Sequence, residues 1–350
     1  MSTINHQSKN VFVYVGSNGK LGARMKDVQE WLLLDGLLNY VIHVDRHRSP
    51  LDCVVPNLTD GFCYLPTKPT PRETMQAVAA CGLTEADAVL VYIATPTRFK
   101  FYYVMAILSH PSWRVIVEKP FPIVPEDVVT LEAVADGRLI VGNHYLWKKE
   151  MRDAVKEIDE SALEQISLIE FDLLETSCID NRDIDDAIFD LCWHGLACII
   201  ALFKKVGSPI VFEVTYVSDA TYHDGSGYIP KESTAARIEG RLDCGKHSTR
   251  FIIRTGKGLS YESKNLALWT AKSDGSPKIY DLSETTYEAH LEMIRHVLAE
   301  TTPGYGLGLS DAALIAQVCT NARNRAHKEP PYAFGVTPAF LSDSISIRYQ

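Results

Sequence analysis

Nowhere in the chain do two cysteines stand close enough to form a Cys-x-x-Cys pair; the eight lie at 53, 63, 81, 178, 192, 198, 244 and 319. A structural zinc site needs clustered ligands at short spacing, so neither a zinc-held fold nor a metal-dependent site is expected. Scattered thiols within apolar segments behave as small hydrophobes. Long apolar runs are missing too. Val11–Val15 and Val89–Ala94 are among the longest, far short of the roughly 20 residues that cross a bilayer. The first ten residues are polar, with no basic segment followed by an apolar one, so no signal peptide is expected. Positive charge is in deficit: 35 Lys and Arg stand against 44 Asp and Glu, a net −9 with histidine neutral. Such a surface gains little from phosphate backbones or anionic lipid, so no nucleic-acid or membrane partner is expected. Internal repeats and low-complexity segments are also lacking. The expectation is a cytoplasmic soluble protein.

With 350 residues, the chain has room for two domains. Residues 1–146 alternate apolar, β-branched strands (11–15, 40–44, 87–94, 113–117, 139–141) with helical spacing (22–36, 72–81, 98–109, 125–135). A polar loop separates the second strand from the helix at 72–81, which Pro71 opens within a Thr-Pro-Arg-Glu start signal. Alternation of this kind implies βαβ units and a doubly wound parallel sheet, an α/β Rossmann domain. Residues 147–350 read differently. A helix at 147–158 leads to a strand at 166–174, then a polar stretch with Asp180, Asp183, Asp185 and Asp186, then a helix near 185–205. Strands without intervening helices follow, about 209–218, 234–243, 248–255 and 260–269, and helices near 285–300 and 310–327 close the region. This predicts an α+β domain with a large, mostly antiparallel sheet, whose uncovered face would mediate self-association as a homodimer or homotetramer. The tail from Pro330 is expected to pack back on the body.

Between the first strand and helix stands Gly16-Ser17-Asn18-Gly19-Lys20-Leu21-Gly22. A dinucleotide turn needs glycine where the chain bends and where backbone approaches a pyrophosphate, ahead of a helix N-terminus that supplies free N–H groups. The spacing is GxxGxxG, a looser form of the fingerprint, and an ordinary glycine turn is the competing reading. Asp45, at the end of the second strand, is placed to accept hydrogen bonds from ribose hydroxyls and would repel a 2′-phosphate, which favours NAD. Arg46, with His47 and Arg48 behind it, could instead embrace that phosphate, so NADP stays open.

Further motifs follow in order: Ala94-Thr95-Pro96 after an apolar strand, Glu118-Lys119-Pro120 after the next, and Asp190-Leu-Cys-Trp-His194 within the predicted helix. In this order and in these domains the chain resembles the Gfo/Idh/MocA oxidoreductases, the group of glucose–fructose oxidoreductase and inositol dehydrogenase. Departures are Cys192 and Ala197 in place of a glycine and an aspartate on the helix, and Phe99 and Lys100 where a histidine often follows Thr-Pro. The resemblance implies a hydride-transferring enzyme acting on CH–OH groups, with Thr95, Pro96, Glu118 and Lys119 at the cofactor. A local stretch, Asn143-His144-Tyr145-Leu146-Trp147-Lys148, is similar to the substrate segment of glucose-6-phosphate dehydrogenase. That likeness places Asn143, His144, Tyr145 and Lys148 on the substrate side, with His144 and Lys148 as holders of a sugar phosphate.

The residue chemistry agrees with this assignment. Alcohol oxidation needs a base for the hydroxyl proton, and histidine titrates near neutrality. On a helix, Asp190 and His194 share a face, so the carboxylate can orient the ring. Lys119, at the C-terminal end of a parallel strand, can polarise a developing alkoxide. Trp193 reads as a pocket wall or core aromatic. The expected substrate is a sugar, sugar phosphate or cyclitol, turned over with Lys119, Asp190 and His194 as the polar centre. The alternative is a catalytically idle member of this fold that senses a nucleotide or binds a partner.

Overall fold

The computed structural model describes residues 9–16, 20–45, 62–122, 125–176, 186–223, 233–270, 276–299, 306–329, 332–333 and 339–342. In chain order the elements begin β1 (Asn10–Val15), α1 (Lys20–Leu34), β2 (Tyr40–Asp45), β3 (Phe62–Pro66), α2 (Pro71–Ala79), β4 (Ala88–Ile93), α3 (Thr97–Leu108), β5 (Arg114–Glu118), α4 (Pro125–Ala135) and β6 (Leu139–Gly142). They continue α5 (Lys149–Glu157), α6 (Glu160–Leu163), β7 (Ile166–Glu175), a π-turn (Ile188–Cys192) running into α7 (Trp193–Phe203), β8 (Ile210–Ala220), β9 (Tyr222–His223), β10 (Ala235–Cys244), β11 (His247–Lys257), β12 (Ser263–Thr270) and β13 (Lys278–Asp281). The close is α8 (Thr286–Leu298), α9 (Leu309–Arg325), β14 (His327–Lys328), β15 (Tyr332–Ala333) and α10 (Ala339–Ser342). Among the described residues no helix is long and apolar enough to cross a membrane.

The chain forms two compact units. The first holds the residues up to His144 together with α8; the second holds Tyr145–Thr285 and the chain from Asp311 onward. The sequence boundary at 146/147 put everything after it in one domain, whereas α8 joins the first unit. The reason is its packing: Arg114 Nη1 donates to the Val297 carbonyl at 2.9 Å, and the Arg295 guanidinium lies 4.1 Å from the centre of the Trp31 ring on α1.

The first unit is a six-stranded parallel sheet in the order β3-β2-β1-β4-β5-β6. Its strands are buried on both faces, which is why they read as unbroken apolar runs. In β1, Val11 through Val15 are all solvent-inaccessible. The stretch read as a polar loop after β2 contains β3, a five-residue edge strand ending in Pro66. Proline is tolerated there because an edge strand does not need every donor. The Thr-Pro-Arg-Glu signal before the second helix is a capping box, with Pro71 opening α2 and Thr70 and Glu73 bonding reciprocally.

The second unit is a seven-stranded mixed sheet in the order β13-β12-β7-β11-β10-β8-β14. Most neighbours are antiparallel, as expected, but β7 runs parallel to β11, and β14 parallel to β8. Helix α7 is buried along its whole length and lies on the face that carries Phe171 and Ile253. The tail does pack back: Phe340 and Leu341 of α10 join Leu174, Ala220, Ala235 and Leu259 in a small core, and Arg237 donates to the Phe340 carbonyl at 2.6 Å.

Candidate active site

In the first unit the predicted nucleotide turn stands where β1 lies between β2 and β4, the switch point at which sheets of this order bind ligands. Gly16 has φ +92°, a region that favours glycine. Its N–H donates to the Val44 carbonyl at 2.8 Å, and a Cβ on it would lie 2.9 Å from the Ala94 carbonyl oxygen. No side chain fits there. Lys20 and Leu21 open α1; Ser17, Asn18, Gly19 and Arg46, like Asp180, Asp183 and Asp185, lie outside the described residues. Asp45 ends β2, partly exposed. Thr95 follows β4, and its buried hydroxyl finds no hydrogen-bond partner among the described residues, while Pro96 is exposed at the start of α3.

Glu118 ends β5, and Lys119 follows it. The Lys119 N–H donates to the Gly142 carbonyl at 3.2 Å, and the Lys119–Pro120 peptide is cis. Beneath this turn sits a lysine that the sequence shows only as a departure from the family pattern. Lys100, 3% exposed, donates through Nζ to the Lys119 carbonyl at 2.9 Å and the Pro120 carbonyl at 3.3 Å. It stands in the region where the resemblance expects a histidine, and there it ties α3 to the Lys119–Pro120 turn. Glu118 points inward instead of lying along the open edge: Tyr92 donates to its Oε1, and His290 Nε2 lies 3.3 Å from the same atom. Asn143 is fully buried and His144 half-buried, just beyond β6.

The second unit brings Tyr145 and His194 together, their ring centres 4.5 Å apart. Tyr145 also meets Phe171 edge-on, so the phenol ring is wedged between sheet and helix. His194 is 3% exposed on α7. Asp190 is not on a continuous α-helix with it, because Ile188–Cys192 forms a π-turn, which changes how residues four apart line up. The start of that turn is pinned by Asp186, which accepts the Phe189 N–H at 2.9 Å and pairs with Arg323 of α9. One carboxylate of the polar stretch is therefore a cap. Trp193 is fully buried, and its Nε1 has no partner among the described residues.

Lys148 lies otherwise than expected of a phosphate ligand. It is 3% exposed, its Nζ donates to the Leu282 carbonyl at 2.8 Å and to that of Glu284, and it sits 4.9 Å from the centre of the Tyr145 ring. Burial holds its pKa below the usual lysine value. An ammonium with three donors, two on carbonyls and the third side against a ring, has little left to offer a phosphate. Cys192, beside Trp193 in sequence, is not poised as a nucleophile, because burial pushes its thiol up to about 12. Among the described residues no group of three or more His, Cys, Asp or Glu could hold a metal.

No protein-family model matches the chain, and no curated protein is similar to it in sequence. Solved structures are similar in shape. A glucose-6-phosphate 1-dehydrogenase from Mycobacterium avium superposes with a TM-score of 0.66 at 13% identity, covering 94% of each chain. A probable dehydrogenase from Thermotoga maritima gives 0.67 at 12%, over 90% of this chain and 96% of its own. The WlbA dehydrogenase from Thermus thermophilus, in complex with NAD and UDP-GlcNAcA, gives 0.59 at 15%, over 92% and 97%. The chain shares its fold with dehydrogenases. The myo-inositol dehydrogenase of Corynebacterium glutamicum, at 0.65, stands in the same group.

Proposed function

We propose that the chain is an NAD(P)-dependent oxidoreductase that moves hydride between nicotinamide and a secondary alcohol or ketone of a sugar, sugar phosphate or cyclitol, with NAD preferred. The observation that carries this reading is the β1–β4 switch point. Gly16 leaves no space for a side chain, and beside it the Thr95 hydroxyl has no partner among the described residues. These residues fit a dinucleotide: glycine admits a pyrophosphate to the backbone, Thr95 offers a hydrogen bond, and Asp45 accepts from ribose hydroxyls. The fold shared with a dehydrogenase solved in complex with NAD supports the same reading. Bound nicotinamide supplies the hydride chemistry. On the chain's side, neutral His194 accepts the hydroxyl proton, with its ring held by Tyr145. The Lys119 ammonium stabilises the developing alkoxide, and Asp190 helps to bind a substrate hydroxyl. His144 and Asn143 contribute hydrogen bonds to hydroxyl groups, Trp193 walls the histidine, and the committed Lys148 favours an uncharged hydroxylated ring over a phosphate ester.

The test is a nicotinamide absorbance screen of the full chain against sugars, sugar phosphates and inositols with both cofactors. Turnover of any of them supports the proposal. Cofactor binding without any turnover returns the chain to the nucleotide-sensing alternative. In the same assay, NAD(H) is expected to bind more tightly than NADP(H), and Asp45→Ala to narrow the gap by removing repulsion of the 2′-phosphate. A tenfold wild-type preference for NADP(H), about 1.4 kcal/mol, would reverse the cofactor assignment.

Self-association belongs to the same proposal, with a change in its basis. The sheet face turned away from α7 is not plainly apolar: Arg254 bridges Glu170 at 3.0 Å and Asp172 at 2.7 Å, and Trp269 Nε1 donates to Glu170 at 2.5 Å. Around this network, strand register puts exposed Val211, Tyr216 and Ile279 on that face. Light scattering is expected to give a dimer or tetramer at micromolar concentration; a monomer would sink this part.

A further inference from the structure

On the α8 side of the first unit's sheet, buried polar groups from distant parts of the chain form one row. Parallel register sets Tyr14 of β1 beside Tyr92 of β4, and Glu118 of β5 beside Gly142 of β6. The two tyrosine rings meet edge-on at 5.4 Å. Gly142 leaves room for the carboxylate, since a Cβ there would lie 3.3 Å from Glu118 Oε1. His290, 1% exposed on α8, reaches that oxygen through Nε2, while its Nδ1 lies 2.7 Å from the Thr286 carbonyl. The His144 ring stacks on His290, centres 5.0 Å apart at 23°.

Donors and acceptors decide where the protons are. The Thr286 carbonyl can only accept, so Nδ1 of His290 carries a hydrogen. Burial and the charge of Glu118 hold the Tyr92 phenol well above its usual pKa, so it donates. Burial works to raise the Glu118 pKa, but the hydrogen bonds from His290 and Tyr92 hold the carboxyl below its ordinary value; the oxygen that accepts from Tyr92 is the one facing His290, and a protonated carboxyl oxygen would be a poor acceptor there. A bare Nε2 would then face a carboxylate lone pair to lone pair in a dry interior, which is costly. A proton on Nε2 removes the conflict.

We propose that His290 is a doubly protonated positioning residue with Glu118 as its buried counter-ion, and that the pair fixes two neighbouring strand ends, the Glu118–Lys119 end of β5 and His144 beyond β6. A second cation stacked on the first would be repelled, so His144 stays neutral and presents one donor and one acceptor. The groups facing the pair are Tyr92 and Tyr14 from the sheet, Lys119 next to Glu118, and His144 across the stack. The catalytic half of the inference rests on the dehydrogenase reading; the protonation half does not.

The experiment is nitrogen-15 NMR of histidine side chains in the full chain at neutral pH, paired with steady-state kinetics. Wild-type His290 is expected to show both nitrogens protonated. In Glu118→Gln it reverts to the neutral Nδ1–H form, and kcat falls about tenfold or more through misplacement of the reacting groups. Tyr92→Phe removes one hydrogen bond and leaves His290 doubly protonated. A neutral His290 in the wild type overturns the proposal even if Glu118→Gln fails to fold, as does a proton found on Glu118 instead. Collapse of the His290 signal with kcat unchanged overturns the positioning role. A substrate screen without turnover would defeat the dehydrogenase reading while the NMR result still decides the ion pair.

Discussion

Replacing His194 with alanine is expected to lower kcat by roughly 10²- to 10⁴-fold, the scale for losing a positioned acid–base group. Cofactor affinity should barely move, because the nucleotide turn belongs to the first unit and His194 to the second. Alcohol oxidation by the wild type should speed up as pH rises through the range where a histidine gives up its proton, since only the neutral ring can accept one. The variant should lose that dependence. A buried histidine that merely fills space beside Tyr145 predicts another pattern: a lower Tm with turnover per folded molecule close to wild type. Measuring Tm and single-turnover rate on one preparation separates the two. If stability drops and turnover persists, proton transfer passes to Lys119 or Tyr145.

The second large effect is expected at Gly240, where a single methyl group has nowhere to go. A Cβ there would lie 2.2 Å from the Glu213 carbonyl oxygen and 2.8 Å from the Phe251 ring. The first contact is with backbone, at the point where the β10–β8 register shifts. Side chains can rotate away, but a paired strand cannot without breaking its ladder. Gly240→Ala should therefore destabilise the second unit by about 3 kcal/mol or more, the upper end of overpacking costs. Gly207→Ala offers the contrast. Its surroundings are open and only its φ of +71° resists a side chain, so about 1 kcal/mol is expected. Thermal melts that place the two variants together would refute the steric argument.

The local signals in the sequence were reliable because their causes span only a few residues. The Thr70–Glu73 capping box closes within four residues, and it appears as read. Apolar runs buried on both faces, as in β1 and β4, admit no other kind of sheet. Gly16 could be singled out because a strand followed at once by glycine and then a helix leaves few other backbone paths. β3 escaped notice although Phe62-Cys63-Tyr64-Leu65 is apolar: the strand is only five residues long and ends in proline, and what identifies it is pairing with β2.

The sequence by itself determined the alternation of elements, the glycine that follows β1, and the residue types at the Glu-Lys-Pro and Asp-x-x-x-His positions. The tertiary structure alone decided what those side chains face. Glu118 could be found by its motif, but its partner His290 lies 172 positions away and depends on α8 returning to the first unit. Lys148 sits in a stretch similar to a phosphate-holding segment, yet carbonyls 134 and 136 residues further on take its donors. Lys100 was visible only as a departure from a pattern until the turn at Lys119 closed over it. In each case the partner is brought near by the packing of whole strands and helices. Burial then forces every polar atom to find a bond, and that requirement is met across the fold instead of along the chain.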